Sequence, residues 1–351
     1  MNTWLAYKSK RSYVFRDHFW LLDYYPWPKE KYLESRPRTP LNALLSGPSA
    51  GGLWDPHDNA PRSISEEWFD IVCPIAERRF ILTGDVKPAI YWETGDVIFK
   101  HWEKLLADAP ERCIEIQPSN QENDKTSQTF DLWLWGSTRI LPLWEEFKNS
   151  PVSRLLAPST VVKAAVDRNE YLFLPRGPRL PRPAPRNPYE RMLAIHLRRG
   201  DFVNACLSLA NWNSTFYSWN LLPSLPDKFT HPSPEGYEPG QNTPEGIAHY
   251  KKHCYPDDHM ILDKVQKSRE EYIKAASPGE HRVLDVIFVL TNDASSWVDE
   301  LKVKLGESQW YTVVTTKDLE LDQEQKDVGL AVDMEFARRA AVFIGNGVSL
   351  L

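Results

Sequence analysis

Ile195-His196-Leu197-Arg198-Arg199-Gly200-Asp201-Phe202 opens as an apolar strand and closes in a basic, glycine-containing turn. With Ala194 ahead of them, Ile195 and Leu197 form a run apolar on both faces, the pattern of a strand buried inside an α/β sheet. Arg198 and Arg199 then fall at the strand's carboxyl end, where open α/β sheets hold their ligands. An arginine there, beside a glycine that admits a close backbone, suits a diphosphate, because it is a forked cation with several N–H donors. The same residues fit an arginine paired with Asp201 at a domain surface. The octapeptide alone leaves both readings open.

A second segment, Val328 to Leu351, repeats the theme. Helical spacing of Val332, Phe336 and Ala340 predicts an amphipathic helix over Gly329 to Ala341 with that face in the core. Asp333 and Glu335 stand near its start, where the helix dipole favours acidic groups. A strand, Val342-Phe343-Ile344, leads into the turn Gly345-Asn346-Gly347-Val348-Ser349. Turns of this kind present backbone N–H groups and bind anions.

Pro175 to Pro188 carries six prolines and four arginines and reads as a semi-rigid connector. It divides an α/β-like half, residues 1–174, from another, 189–351. In the first, Met1 to Ala6 reads as a helix and Ser12 to Phe15 as a strand. Arg79 to Leu82 and Cys113 to Ile116 are further strands, and Val97 to Ala107 and Ser137 to Phe147 are helices. Thr39 to Ser63, rich in Pro, Gly and Ser, reads as a long loop with little core potential, and Gly47 to Gly52 within it as a turn. In the second half, Val283 to Leu290 and Tyr311 to Thr315 are strands around a helix, Ser296 to Leu305. That repetition marks a parallel sheet. Residues 203–277 interrupt it as an insertion.

The chain has 351 residues, 42% of them hydrophobic, enough for one large core or two ordinary ones. Its net charge of −6 argues against bulk nucleic-acid binding. Among the 14 tryptophans, Trp102, Trp133, Trp135 and Trp144 fall at helical spacings and are expected in the core. No apolar run reaches the ~20 residues of a membrane span. The first residues lack the apolar region of a signal peptide, so the chain is either cytosolic or missing an upstream targeting segment. Cys206 and Cys254 both lie in the insertion and are paired here as an expected staple. Asn213-Ser214-Thr215 is an N-glycosylation acceptor. His249, His253, Cys254, Asp257, Asp258 and His259 sketch a metal site, but no ligand spacing closes a tetrahedral set, and none is expected.

His196 through Phe202 resembles the His-x-Arg-x-x-Asp motif of the GDP-fucose protein O-fucosyltransferase superfamily. Asp333, followed by Phe343-Ile344-Gly345-Asn346-Gly347-Val348-Ser349, resembles that family's C-terminal motif, an acidic helix residue ahead of a Phe-Ile-Gly-x-x-x-Ser turn. The likeness runs from Met192 to Leu351. It is similar to the type that modifies thrombospondin-like repeats, and closer still to fungal O-fucosyltransferase-like proteins. The first half resembles those relatives more diffusely. The resemblance implies an α/β fold of GT-B type, two Rossmann-like halves with parallel sheets and the donor in the cleft between them. It implies inverting, metal-independent transfer of fucose from GDP-fucose to a hydroxyl of a protein or glycan, with no cofactor, in the lumen of the ER or Golgi. Carried over residue by residue, Arg198 contacts the β-phosphate and is the catalytic cation. His196 lies beside the nucleotide, Asp333 recognises guanine, Gly345 belongs to the donor-binding turn, and the Ser349 hydroxyl reaches the diphosphate.

Two family features have no counterpart here: the glycine-rich Gly-x-x-Asn-x-Arg loop ahead of the first helix, and the closing helix after the serine turn. The expected fold is therefore one clipped at both termini. Two functions stay open: a fucosyltransferase, or a catalytically inactive remnant that binds a nucleotide sugar or a protein.

Overall fold

The structure, a computed structural model, describes residues 1–351 except 21, 23–26, 32–35, 121–123, 175–186, 201, 213, 217, 228, 231–242, 294 and 348–351. Most of the proline-rich connector, together with Asp201, Asn213 and Ser349, lies outside the described residues. The protein is mixed α/β with parallel sheets, and it forms two compact units. One comprises Met1–Ser159 with Tyr217–Lys228, the other Thr160–Phe216 with Phe229–Leu351.

The first unit contains α1 (Asn2–Lys8), β1 (Val14–Phe15), β2 (Ile64–Ser65), α2 (Glu66–Val72), β3 (Arg79–Leu82), α3 (Gly95–Asp108) and β4 (Ile114–Gln117). β1 pairs with β2 and β3 with β4, both in parallel, and α3 makes the crossover between β3 and β4. Among the described residues these ladders stay separate two-stranded pairs, so the expected single Rossmann-like sheet is not formed in this half. Its core lies under α3, where Ile98, Phe99 and Trp102 bury against Trp4 and Leu5 of α1. The Trp4 and Phe99 rings are 4.1 Å apart. A disulfide, Cys73–Cys113, with Cα atoms 5.7 Å apart, staples the end of α2 to the start of β4.

Three sequence expectations need correction here. The helix expected over Ser137 to Phe147 is a 3₁₀ segment, Thr138–Leu143, followed by the short helix Trp144–Lys148. Pro142 inside it has no N–H to donate and its ring collides with the preceding turn. Trp102 is fully buried as expected, but Trp133 is 56% exposed, because the fully buried residue of its short helix is Leu134. Thr39 to Ser63 is not bare loop: it includes the helical turn Leu41–Leu44 and buries Thr39, Pro48 and Ser63. Gly47 there is required, since its φ is +102° and a Cβ would stand 2.2 Å from the Leu155 carbonyl oxygen.

The second unit contains α4 (Thr160–Asn169), β5 (Met192–Leu197), α5 (Phe202–Asn211), α6 (Pro244–Cys254), α7 (Asp258–Lys274), β6 (Val286–Thr291), α8 (Trp297–Glu307), β7 (Thr312–Thr315), α9 (Gly329–Arg339) and β8 (Val342–Gly345). Its four strands form one parallel sheet in the order β7-β6-β5-β8. Leu193, Ile195 and Leu197 of β5 and Ile287 and Val289 of β6 pack with Ile261 and Val265 of α7 and Leu301 and Leu305 of α8. On α9, Val332 and Phe336 are buried as their spacing predicts. Ala340 is not helical: its ψ of 144° turns the chain toward β8.

The division between units differs from one at the connector. Residues 160–173 belong to the second unit, since α4 buries Val162, Ala165 and Val166, and Asn169 exchanges hydrogen bonds with the Glu320 backbone at 2.6 and 3.0 Å. The segment 203–277 is also not a simple insertion. Its described residues are largely helical, as most of α5 and all of α6 and α7, and it lends Tyr217–Lys228 to the first unit. Among the described residues no helix is long and apolar enough to cross a membrane.

Candidate functional site

The winding of the second unit decides where its sheet can hold a ligand. The chain runs from β5 to β6 to β7 in one direction, then returns through α9 to place β8 on the other side of β5. The connections thus diverge between β5 and β8. In an open parallel sheet the loops separate at such a point, leaving a crevice outside the carboxyl ends of the strands. Arg198 follows β5 directly and Asn346 follows β8, so the two sequence motifs meet at this edge.

Two asparagines hold the turn after β5 by its peptide groups. Asn346 accepts the Arg198 N–H at 3.4 Å and donates to the Arg198 carbonyl at 2.9 Å. Asn292, at the end of β6, does the same for Arg199, accepting at 2.8 Å and donating at 3.0 Å. Each flanking strand therefore grips one residue of the turn, and Gly200 follows with φ +63°, the left-handed conformation glycine tolerates best. Asn346 is buried and also donates to the Cys254 carbonyl at 2.8 Å. Its backbone N–H bonds the His196 carbonyl at 3.2 Å, and the Gly347 N–H bonds the His253 carbonyl at 2.6 Å. A Cβ on Gly347 would lie 2.6 Å from the Phe216 ring, so a larger residue in this turn would require that ring to move. Cys254 itself is joined to Cys206 in a disulfide that ties α5 to α6, with Cα atoms 6.0 Å apart.

The two arginines have different surroundings. The Arg199 guanidinium lies 3.9 Å from the Trp297 ring centre and 4.4 Å from that of Tyr255, and it donates to the Pro256 carbonyl at 2.9 Å. It also faces Asp293 at 3.8 Å. That sandwich makes Arg199 a packing element. Arg198 has its guanidinium 4.4 Å from the Phe202 ring centre, on the first turn of α5. His196 stands two residues earlier, opposite Gly345 in the ladder. Burial, helped by the Arg198 charge, pushes its imidazole down to about 4, so it is neutral at physiological pH.

Asp333 sits on the second turn of α9, beside the turn that ends β7. Its Oδ2 accepts the Thr316 hydroxyl at 2.8 Å, while Oδ1 is buried with no hydrogen-bond partner among the described residues. Burial raises the carboxyl to about 7, against the opposing effect of the Thr316 hydrogen bond. Its neighbour Glu335 is held below the usual range despite burial by ion pairs with Arg338 and Arg339 at 2.7 and 2.8 Å. The edge therefore combines a cation, a neutral imidazole, a glycine turn and a carboxyl with unused acceptor capacity. Of the residues singled out in the sequence, Ser349 and Asn213 lie outside the described residues. Cys254 is in a disulfide, and His249 bonds the Thr230 carbonyl at 2.8 Å. No group of three metal-ligating side chains occurs among the described residues. Asn292, Asn346 and Thr316 were not marked by sequence reasoning, although an asparagine just past each flanking strand is a visible signal.

Asn346→Ala removes the partner of the Arg198 peptide and of the Cys254 carbonyl at a buried position. It is expected to cost about 1–3 kcal/mol, read from the shift of the urea midpoint at constant slope. An unchanged midpoint would show that the clamp contributes nothing.

No protein-family model matches the chain, and no curated protein matches it.

Proposed function

We propose that the second unit binds a guanosine diphosphate sugar at this sheet edge, and that the protein transfers fucose from GDP-fucose to a protein or glycan hydroxyl with inversion and without a metal. The observation that carries the reading is the meeting of Arg198 with the Asn346-Gly347 turn where the winding of the parallel sheet reverses. The bond between the fucosyl carbon and the β-phosphate oxygen breaks with its electron pair left on the diphosphate. The Arg198 guanidinium at that edge stabilises the charge as it forms. The acceptor oxygen bonds the same carbon from the opposite face and gives up its proton. The reading carries the GT-B architecture with it, and assigns to Ser349 a hydroxyl on the diphosphate.

Asp333 fits the base. Guanine presents two adjacent N–H donors, and an ionised carboxylate accepts both. β7 lies two strands from β5, about 10 Å at ~4.8 Å per strand, a separation comparable with that between base and β-phosphate in an extended nucleotide. Because burial raises Asp333 to about 7, the carboxylate form must be populated before guanine binds. GDP affinity is therefore expected to fall as pH drops through that value, by about tenfold between about pH 8 and about pH 6. Calorimetric titrations across this range test it. ADP should bind far more weakly than GDP, and Asp333→Asn should abolish the pH dependence. Equal affinity for ADP, or a flat pH profile, would remove Asp333 from the base site.

A further inference from the structure

The first unit contains an opening between its two parallel ladders. A cavity of about 300 Å³ is lined by Val14 of β1 on one side and by Ile114 and Ile116 of β4 on the other, with Leu5, Phe69 and Leu106 around it. The ladder registers fix which backbone groups face this gap. Ile64 donates to the Tyr13 carbonyl, so Tyr13 and Phe15 point their peptide groups toward β2 and Val14 points its own away. Arg79 donates to the Cys113 carbonyl, so Cys113, Glu115 and Gln117 face β3, and Ile114 and Ile116 face away from it. Among the described residues, β1 pairs only with β2 and β4 only with β3. The two outward edges are thus unpaired strand edges on one cavity.

The chemistry of the lining defines what fits. Ile114 and Ile116 pack on the unit's core yet stay only half-buried, so the apolar layer is open at this place. Of the charged groups in the lining, Arg16 pairs with Glu66 at 2.5 Å and Arg78 with Asp70 at 2.6 Å and Glu115 at 2.7 Å, while the Arg11 guanidinium is taken up by the Leu106, Ala109 and Glu111 carbonyls at 2.7, 2.5 and 2.9 Å. The gap therefore offers backbone donors and acceptors and apolar contact, and calls for no counter-charge. That is the recognition chemistry of an added β-strand, in which main-chain hydrogen bonds supply affinity and alternate side chains supply fit.

We propose that this gap receives an uncharged, extended segment of a partner polypeptide, which pairs with β4 on one edge and β1 on the other and joins the two ladders into one sheet. The inference stands apart from the nucleotide-sugar reading, which concerns the other unit. The test is amide hydrogen exchange on the full chain with a capped six-residue peptide of alternating valine and threonine, at about 1 mM. The Val14, Ile114 and Ile116 amides are expected to exchange at least about tenfold more slowly with the peptide present. A version N-methylated at every residue, without any of those donors, should give no protection. No slowing with the first peptide, or equal slowing with both, would overturn the proposal.

Discussion

Arg198→Ala is expected to lower fucosyl transfer from GDP-fucose by roughly 10²–10³-fold, the effect of losing one preorganised donor to a developing anion. The expectation rests on position. Arg198 follows β5 at the reversal point, its peptide is gripped by Asn346, and its guanidinium lies 4.4 Å from the Phe202 ring centre. Arg198→Lys keeps the charge but loses the planar fork, and should recover only part of the rate. The control is Arg199→Ala, which strips the packing between Trp297 and Tyr255 and should reduce thermal stability more than turnover. Initial rates of GDP release with saturating acceptor decide the matter. Unchanged turnover in Arg198→Ala, or a loss of equal size in both variants, would detach this residue from the chemistry.

Asp285→Ala is expected to destabilise the second unit by about 3–5 kcal/mol, a large part of the 5–15 kcal/mol that holds a typical domain folded. Asp285 and Arg191 form a buried pair just ahead of β6 and β5, the Arg191 Nε donating to Oδ1 at 2.9 Å and Nη2 to Oδ2. Their side chains are only 5% and 11% exposed, so removing the carboxylate leaves a guanidinium with neither water nor partner. Replacing both, as Arg191→Met with Asp285→Leu, removes the stranded charge and should restore most of the loss. Chemical denaturation of the three variants measures it. A single variant within about 0.5 kcal/mol of the parent would show that the pair is solvated or dispensable.

The same pair explains how far the strands could be read. The apolar run from Val283 predicts an early strand start, but the ladder begins only at Val286, after Asp285 has turned its side chain to Arg191. The other strands of the second unit lie within a residue or two of their hydrophobic runs, because buried parallel strands carry a strong local signal. The first unit is less legible. Its strand at Val14–Phe15 falls within the one expected over Ser12 to Phe15, but the partner, Ile64–Ser65, is two residues long and 50 positions away, and no local pattern announces it. At the candidate site the sequence exposes Arg198 and the glycine turn, but not which arginine is committed to packing. That distinction arises from Trp297 and Tyr255, distant in the chain. Nor does it disclose that β8 returns to the far side of β5, since strand order is a property of the folded sheet.

Calorimetric titration of the whole protein with GDP, without added metal, tests the central reading most directly. Saturable binding to one site per chain, weakened at least about tenfold in Arg198→Ala, is the expected result. Absence of GDP binding by the parent protein, or binding that Arg198→Ala leaves unchanged, would contradict it.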